Sequence, residues 1–468
     1  MYYVCNIFLA IICYDYYNDV KIKYFNVNIL KITNMKEQKI KKEPFEGSES
    51  VNNVKCGINL KNGFLKFWSS HVINFLLIGV IAFSLIGCGK DNDEDPVVPE
   101  EPPVERGDMI VVAKLFQRQP ADQIQYRVDV AKRLGANQFL IFPDQVTDYE
   151  GVSDVLNESG IDLWLIAPIF YNDNNLKSSA NDGGAFWDAL GRDPHWAICD
   201  DGGIAWAADG AWPRWVCPND KEYLDLRIES FRPALRACNF TGISLDFIRY
   251  FTHWENTRPY TDPRTLRNSC FCDECINEFM ESSYCNSYLK TALQNAITAG
   301  AGPVKLAQVI YNDFNYVNRW TNYKVNKIDN SVEYILAKLN SEFPNLKSNI
   351  HAVPYTNTDH NGAIKSVIGQ DFNLLSRRID QISPMTYNVM CERIPQWIND
   401  VTSDIVDVVS GRVPVVPTIQ GNANVTMDVY EQIISSALKA PSSGIVIWQF
   451  ERLSEERIDI IDKVLNGK

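Results

Sequence analysis

Short apolar segments alternate with amphipathic segments along the chain from about residue 107 onward. This alternation predicts parallel β-strands joined by helices. Eight segments have strand character, namely 109–116, 138–142, 161–170, 242–247, 349–354, 381–385, 413–419 and 444–450. The segments between them place apolar residues at helical spacing, which gives each helix one face to pack on a sheet. Two such faces are Ile124, Val128, Ala131 and Leu134, and Leu224, Ile228, Phe231 and Leu235.

Eight strands that are apolar throughout, each followed by a helix, favour closure into a barrel over an open sheet. The predicted fold is therefore α/β, a (β/α)8 TIM barrel, with enlarged βα loops after the third and fourth strands. No GxGxxG motif follows the first strand, so the usual sign of a dinucleotide-binding fold is missing. In such a barrel, functional side chains lie where strands end and βα loops begin.

An uncharged apolar stretch, residues 73–87, precedes the barrel region and follows Lys61 and Lys66. Its length is typical of a signal peptide rather than of a membrane span. It ends in Leu-Ile-Gly-Cys88, which resembles the lipobox of bacterial lipoproteins. The resemblance implies acylation at Cys88 and an outer membrane lipoprotein on the cell surface or periplasmic face, held by its lipid anchor. A buried helix that ends at a cysteine is the alternative interpretation.

The sequence around this stretch divides into segments. Residues 61–87 form the predicted signal peptide, and residues 88–107 form an acidic, proline-rich tether that cannot bury apolar surface. The acidic run after the cysteine is similar to the surface-export signal of Bacteroidetes lipoproteins. Residues 1–60 fit neither signal peptide nor domain, and we expect an over-long start or disorder, with initiation at Met35 or later. Residues 108–468 form the barrel domain.

The net charge of −13 argues against a nucleic-acid partner, because phosphate binding needs clustered Lys and Arg. Tryptophans are concentrated in the loop after the third strand, residues 186–215. An exposed indole can stack on the apolar face of a sugar, so Trp206 and Trp212 are candidate carbohydrate contacts. The alternative is that the tryptophans of this loop pack on one another, because a loop of this length needs internal support.

The fourth strand ends in the sequence Gly242-Ile-Ser-Leu-Asp-Phe-Ile-Arg-Tyr250. A carboxylate at the end of an apolar strand is costly to bury unless it projects into the barrel mouth. Asp246 is therefore a catalytic candidate, and the nearby Arg249 can keep it ionised. The alternative is that Asp246 is an ordinary salt-bridge partner of Arg249.

This strand, with Cys217-Pro-Asn-Asp, the CFCDEC segment at 270–275, Gly-Gln-Asp371 and Ser383-Pro-Met-Thr-Tyr387, resembles glycosyl-hydrolase-like barrel families from about residue 107 to the C-terminus. The resemblance implies a glycosidase that acts on an extracellular poly- or oligosaccharide, with Asp246 as the nucleophile. We expect such a glycosidase to need no catalytic cofactor and to be a monomer. The expected sugar contacts are Arg249, Tyr250, His253, Tyr387, Asn388, Trp448 and Asp144.

Hydrolysis of a glycosidic bond needs a second carboxyl group, about 5 Å from the first in retaining enzymes and about 6.5 to 9.5 Å in inverting ones. Glu451, after the eighth strand, and Asp371, after the fifth, are the main candidates, and Glu392 is a third. Asp371 can instead cap the helix that follows it. Glu451 can instead be a first-turn helix residue, which the helix dipole favours.

A chitinase-like family with a DxxDxDxE strand offers a second resemblance, in which Asp246 matches the last Asp of the motif. Ile248 stands where that family has its catalytic Glu, so we do not expect substrate-assisted chemistry. A non-catalytic carbohydrate-binding lipoprotein of a glycan-uptake system is the alternative function. It would lack a second carboxyl group within reach of Asp246.

Three cysteines in the CFCDEC segment, Cys270, Cys272 and Cys275, lie close enough together to share a metal ion. Cys217 is the expected fourth ligand of a structural zinc, since the family-42 β-galactosidase barrels show a similar segment with one upstream zinc-bound cysteine. Disulfides are the alternative, because an extracytoplasmic location is oxidising. We expect Cys199, Cys285 and Cys391 to be buried apolar residues, and His351 to be a hydrogen-bonded residue inside the fifth strand.

Overall fold

The computed structural model describes residues 109–147, 149–172, 193–205 and 214–467, all within one compact unit, Val98–Lys468. Cys88, the predicted signal peptide and tether, Trp206 and Trp212 lie outside the described residues. Within the described ranges, no helix has both the length and the apolar composition needed to cross a bilayer.

The described strands are β1 Ile110–Lys114, β2 Gln138–Ile141, β3 Asp162–Pro168, β4 Tyr171–Asn172, β5 Arg214–Trp215, β6 Phe240–Asp246, β7 Lys347–Ala352, β8 Gln381–Pro384, β9 Thr418–Gln420 and β10 Gly444–Trp448. Eight of them are parallel and form one sheet in the order β8-β7-β6-β3-β2-β1-β10-β9. A separate antiparallel pair, β4 with β5, lies in the connection between β3 and β6. Each of the eight barrel strands overlaps one of the eight predicted segments, although the bounds differ, most of all for β9, which covers only the end of segment 413–419.

The sheet closes between β8 and the residues that lead into β9. Ile382 of β8 forms a parallel bridge with Val415. Its amide donates to the carbonyl of Pro414 at 3.0 Å, and the amide of Val416 donates to the Ile382 carbonyl at 2.8 Å. The predicted (β/α)8 TIM barrel is confirmed.

Helices connect the strands on the outside of the barrel. They are α1 Ala121–Arg133, α2 Pro143–Thr147, α3 Val152–Asn157, α4 Lys221–Ala237, α5 Asp273–Glu281, α6 Ser287–Thr298, α7 Pro303–Tyr311, α8 Tyr316–Asn340, α9 Ala363–Ser366, α10 Phe372–Leu375, α11 Gln396–Val409, α12 Met427–Leu438 and α13 Glu455–Asn466. The connection after β3 carries β4, β5 and α4, and the connection after β6 carries α5 to α8. Both predicted enlarged loops are therefore present. The two predicted apolar faces, on α1 and its C-cap and on α4, are buried.

One half of the barrel interior is apolar. β-Branched residues in β1 and β10 suit strands that are buried on both faces. The interior apolar cluster consists of Val112, Leu140, Trp164, Ile166, Val416 and Val446. Gly242 of β6 makes room for the Trp164 indole, because a Cβ atom at that position would lie 2.4 Å from the ring.

The other half of the interior is polar and is formed mainly by β6, β7 and β8. Side-chain hydrogen bonds connect it in a chain that runs from Gln138 through Gln381, Ser383, Asn349, Ser244 and His351 to Lys114. Each link spans between 2.7 and 3.4 Å. Buried polar groups are tolerated when they are paired in this way. The chain ends at the carboxyl ends of the strands, where the candidate site lies.

Candidate active site

A cavity of about 280 Å³ lies at the carboxyl ends of the barrel strands. Strands β1, β3, β6 and β10 reach it with their last residues. Its ionisable lining residues are Lys114, Asp246, Arg249 and Glu255, and the other lining residues are Phe116, Phe142, Pro168, Tyr171, Phe247, Met385, Tyr387, Met390 and Trp448. Asp246, Arg249, Tyr387 and Trp448 are the predicted site residues that the cavity brings together.

Asp246 is the last residue of β6 and is buried. Its Oδ2 lies 3.5 Å from Lys114 Nζ, and its Oδ1 accepts a hydrogen bond from the Phe247 amide at 2.9 Å. Burial opposes ionisation of this carboxyl group. The positive charge of Lys114, the Phe247 amide and the charge of Arg249 outweigh burial, so the pKa of Asp246 lies below its ordinary value. Asp246 is therefore held as a carboxylate, and its ion pair is with Lys114 rather than with Arg249.

Lys114 ends β1 and connects Asp246 to the polar half of the barrel. Its Nζ lies 3.0 Å from His351 Nε2, which also lies 3.0 Å from Ser244 Oγ. Burial and the charge of Lys114 lower the pKa of His351 to about 3. His351 is thus a neutral, hydrogen-bonded interior residue, whose Nε2 can accept a hydrogen bond from Lys114. Lys114, which pairs with Asp246, is therefore positioned by its contact with His351.

Glu255 is a second carboxyl group in the same cavity, and the sequence analysis missed it. It lies in a 3₁₀ turn, Trp254–Asn256, in the connection after β6, and is 7 % exposed. Burial raises the pKa of Glu255 to about 7, against the positive charge of Arg249 and with a smaller contribution from Asp246. The cavity therefore contains one carboxyl group that stays ionised and one that exchanges its proton near neutral pH.

Arg249 lies in the wall of the cavity and is 1 % exposed. Its Nη1 donates to the carbonyl oxygens of Tyr250 at 3.3 Å and Thr252 at 3.0 Å. Its guanidinium group lies over the Trp215 ring, 4.8 Å from the centroid, and the Trp215 indole donates to the Arg249 carbonyl at 3.2 Å. These contacts fix the orientation of the guanidinium group.

Aromatic rings form two sides of the cavity. Tyr387 stacks on Trp448 with 4.5 Å between ring centroids, and Phe116 meets Trp448 edge-on at 5.4 Å. Across the cavity, Tyr171 and Phe247 pack with 4.4 Å between centroids. Flat aromatic surfaces around a polar floor suit a ligand such as a sugar ring, with apolar faces and polar edges.

Glu451 and Asp371, the two predicted acid/base residues, do not line the cavity. The carboxylate of Glu451 accepts hydrogen bonds from the amides of Phe116 at 3.1 Å and Gln117 at 3.2 Å, so it anchors the loop after β1. Asp371 caps α10 by accepting from the Asn373 amide at 3.0 Å. The helix-capping alternative therefore describes Asp371, and a catalytic role for either residue stays a prediction that no contact supports.

Four further predicted contacts also lie outside the cavity lining. Asn388 donates to the Arg393 carbonyl at 3.2 Å, and Asp144 accepts from Arg118 Nε at 2.7 Å. The other two are Tyr250, whose ring is 4.4 Å from Lys324 Nζ, and His253, whose Nδ1 is 3.1 Å from Asn256 Nδ2. All four have partners within the protein, and their predicted contacts with sugar stay predictions.

Four buried cysteines cluster beside the loops that build the cavity. The sulfur atoms of Cys217, Cys270, Cys272 and Cys275 all lie within 4.8 Å of one another, and no described cysteine is in a disulfide. A tetrahedral zinc–thiolate site places its sulfurs about 3.8 Å apart. The cluster can therefore hold a metal ion. Cys199 and Cys391 are buried as expected, whereas Cys285 is partly exposed.

Comparisons with known proteins agree with the barrel architecture. No family model and no curated protein matches the sequence. The glycoside hydrolase domain of PgaB (BpsB) from Bordetella bronchiseptica matches with a TM-score of 0.51 and 10 % identity, over 76 % of this chain and 98 % of that one. The β-amylase catalytic domain from Paenibacillus polymyxa matches with a TM-score of 0.49 and 10 % identity, over 77 % and 98 %. A β-galactosidase from Marinomonas ef1 matches with a TM-score of 0.49 and 9 % identity, over 76 % and 59 %. At these identities the likeness concerns the fold alone, and that fold is the (β/α)8 barrel of the PgaB glycoside hydrolase domain.

Proposed function

We propose that the protein is a glycoside hydrolase that cleaves a poly- or oligosaccharide, with Asp246 as nucleophile or charge stabiliser and Glu255 as general acid/base. The observation that carries this proposal is the pair of carboxyl groups in one cavity whose pKa values are shifted in opposite directions. Glycosidic bond cleavage uses such a pair, in which one group is ionised and the other donates a proton.

The surroundings of the two carboxyl groups support these roles. Lys114 keeps Asp246 charged, so Asp246 can attack or stabilise the positively charged sugar carbon of the transition state. Glu255 is buried and its pKa is raised to about 7, so a substantial share of it carries a proton near neutral pH and can protonate the departing oxygen. The aromatic sides of the cavity would contact the apolar faces of the sugar.

In this proposal Glu255, rather than Glu451 or Asp371, is the general acid/base. The carboxylates of those two residues accept hydrogen bonds from backbone amides and lie outside the cavity lining. A non-catalytic binding protein would not need a second carboxyl group beside Asp246. The presence of Glu255 in the same cavity therefore favours an enzyme.

We further propose that the enzyme works outside the cytoplasm as a lipoprotein anchored through Cys88, and that it is a monomer without a nucleic-acid partner. The lipobox-like sequence and the acidic tether support the anchored location, and the net negative charge argues against a nucleic-acid partner. We also propose that the cysteine cluster binds zinc in a purely structural role, since four thiolates without an open position are typical of structural sites.

The decisive experiment compares Asp246→Asn with the wild type on a panel of plant and host glycans. We expect turnover to fall by at least about 10³-fold. Because the change leaves the buried Lys114 without its ion-pair partner, the melting temperature should fall as well, and circular dichroism at the assay temperature checks that the variant is folded. Asp371→Asn is the matched control, because it makes the same change at a helix cap, and it should retain turnover. Wild-type turnover in Asp246→Asn would refute the proposal. Glycan binding without cleavage by the wild type would instead identify a non-catalytic carbohydrate-binding protein.

A further inference from the structure

Arg249 is a buried cation with one unused edge. Its Nη1 is occupied by two backbone carbonyls. Within the part of the chain that the structure describes, nothing accepts a hydrogen bond from its Nε or Nη2, and no carboxylate forms an ion pair with it. A buried charge without a partner is costly, so a ligand that supplies one would be strongly favoured.

The unused edge has a defined shape. Nε and Nη2 are the two nitrogens whose N–H bonds run side by side, the arrangement that binds both oxygens of a carboxylate. Trp215 and Phe247 hold the guanidinium group, with centroids 4.8 and 5.8 Å from its carbon atom. The edge is therefore preorganised, and little side-chain entropy is lost when an anion binds.

The carboxyl groups that line the cavity form no direct ion pair with Arg249. Asp246 is paired with Lys114 at 3.5 Å. Glu255 does not reach ion-pair distance, and its pKa of about 7 makes it largely neutral in mildly acidic solution. The cavity then carries one excess positive charge beside its aromatic walls.

We propose that the substrate glycan carries a carboxylate, as a hexuronate does, and that Arg249 binds this carboxylate through its Nε–Nη2 edge. The inference rests on the proposed glycosidase function for its biological meaning. The cavity of about 280 Å³ is at the small end of ligand pockets, so the acidic sugar would be the one that occupies the cavity.

Binding is measured by calorimetry with the full mature chain carrying Glu255→Gln, a variant that cannot consume the ligand by acid catalysis. The probes are oligogalacturonate, alginate and glucuronate-containing glycosaminoglycan fragments, each compared with its methyl ester. We expect at least one acidic fragment to bind and its ester to bind at least about tenfold more weakly, because the ester lacks the negative charge that the guanidinium edge would bind.

Adding Arg249→Lys should abolish most of this preference, because an ammonium cannot form the two parallel bonds. Arg258→Lys is the matched control, since Arg258 is already paired with Glu392 at 2.7 Å, and it should retain the preference. Equal binding of acid and ester, no binding of any acidic fragment, or an unchanged preference in Arg249→Lys would overturn the inference. If Arg249→Lys does not fold, the comparison of acid and ester decides alone.

The two proposals fail in different ways. Binding of an acidic fragment that the wild type does not cleave would refute the hydrolase and leave carboxylate recognition standing. Cleavage of neutral glycans only would refute carboxylate recognition and leave the hydrolase standing.

Discussion

Glu255→Gln changes the atom that we expect to donate a proton, while keeping the shape of the side chain. The rise of the Glu255 pKa from 4.5 to about 7 corresponds to about 3 kcal/mol that disfavours its charged form. A group with a raised pKa is protonated below that value and loses its proton as the pH rises through it. The wild-type kcat/KM should therefore fall as the pH rises through about 7. On the acidic side it should fall only below the ordinary pKa of 3.8, because the pKa of Asp246 is lowered.

The assay is kcat/KM between about pH 3 and about pH 9 on a cleaved glycan and on an aryl glycoside of the same sugar. Glu255→Gln should lose the alkaline limb and about 10² to 10⁴-fold of kcat on the glycan. The loss should be smaller on the aryl glycoside, whose leaving group needs no proton. Glu392→Gln is the control, because Glu392 is an exposed carboxyl group paired with Arg258. An alkaline limb that survives at the wild-type rate in Glu255→Gln would refute the assignment.

Three further outcomes follow from the described contacts. Lys114→Met should move the acidic limb of kcat/KM to higher pH, because burial of Asp246 remains while its cation is lost; an unmoved limb would contradict the role of Lys114. Gly242→Ala should lower the free energy of unfolding by about 1 to 3 kcal/mol, measured with denaturant, because its Cβ would meet Trp164; an unchanged midpoint would contradict this packing. Chelation or Cys272→Ser should release about one zinc ion per chain, counted by mass spectrometry, and lower the melting temperature; a metal-free native chain would contradict the zinc proposal.

The barrel could be predicted from the sequence because its strands are continuous apolar runs separated by helical faces. Such runs report burial directly, and each one in the described chain became a strand. The polar half of the interior was less visible. Ser244, Asn349 and Ser383 are tolerated inside the barrel because they hydrogen-bond to one another. These residues are far apart in the sequence, so their pairing leaves no local sequence pattern.

The candidate site was predicted only in part. Asp246 could be found because a carboxylate at the end of an apolar strand is unusual. The same rule indicates Lys114, a buried charged residue at the end of the first strand. Glu255 follows β6 by several residues, and its burial depends on how the long loop folds back. Its one local signal is its position directly after Trp254, in a loop that begins at the candidate nucleophile.

Glu451 and Asp371 illustrate the limit of the strand-end rule. Both follow barrel strands, and both carboxylates accept hydrogen bonds from backbone amides. A carboxylate that holds a loop and one that holds a substrate have the same sequence signature. Only the direction of the side chain separates the two cases, and that direction is set by tertiary packing.

Trp215 contacts the candidate active site and lies close in the sequence to the cysteine cluster. Its indole supports Arg249, and two residues further along the chain Cys217 joins the cysteine cluster. Loss of a bound zinc would release this segment and with it the support of the guanidinium group, although the eight-stranded barrel would remain. A metal-stripped preparation could thus be folded, retain both carboxyl groups and still fail to recognise its glycan. In these proposals, metal binding and glycan recognition are linked through the Trp215 indole ring.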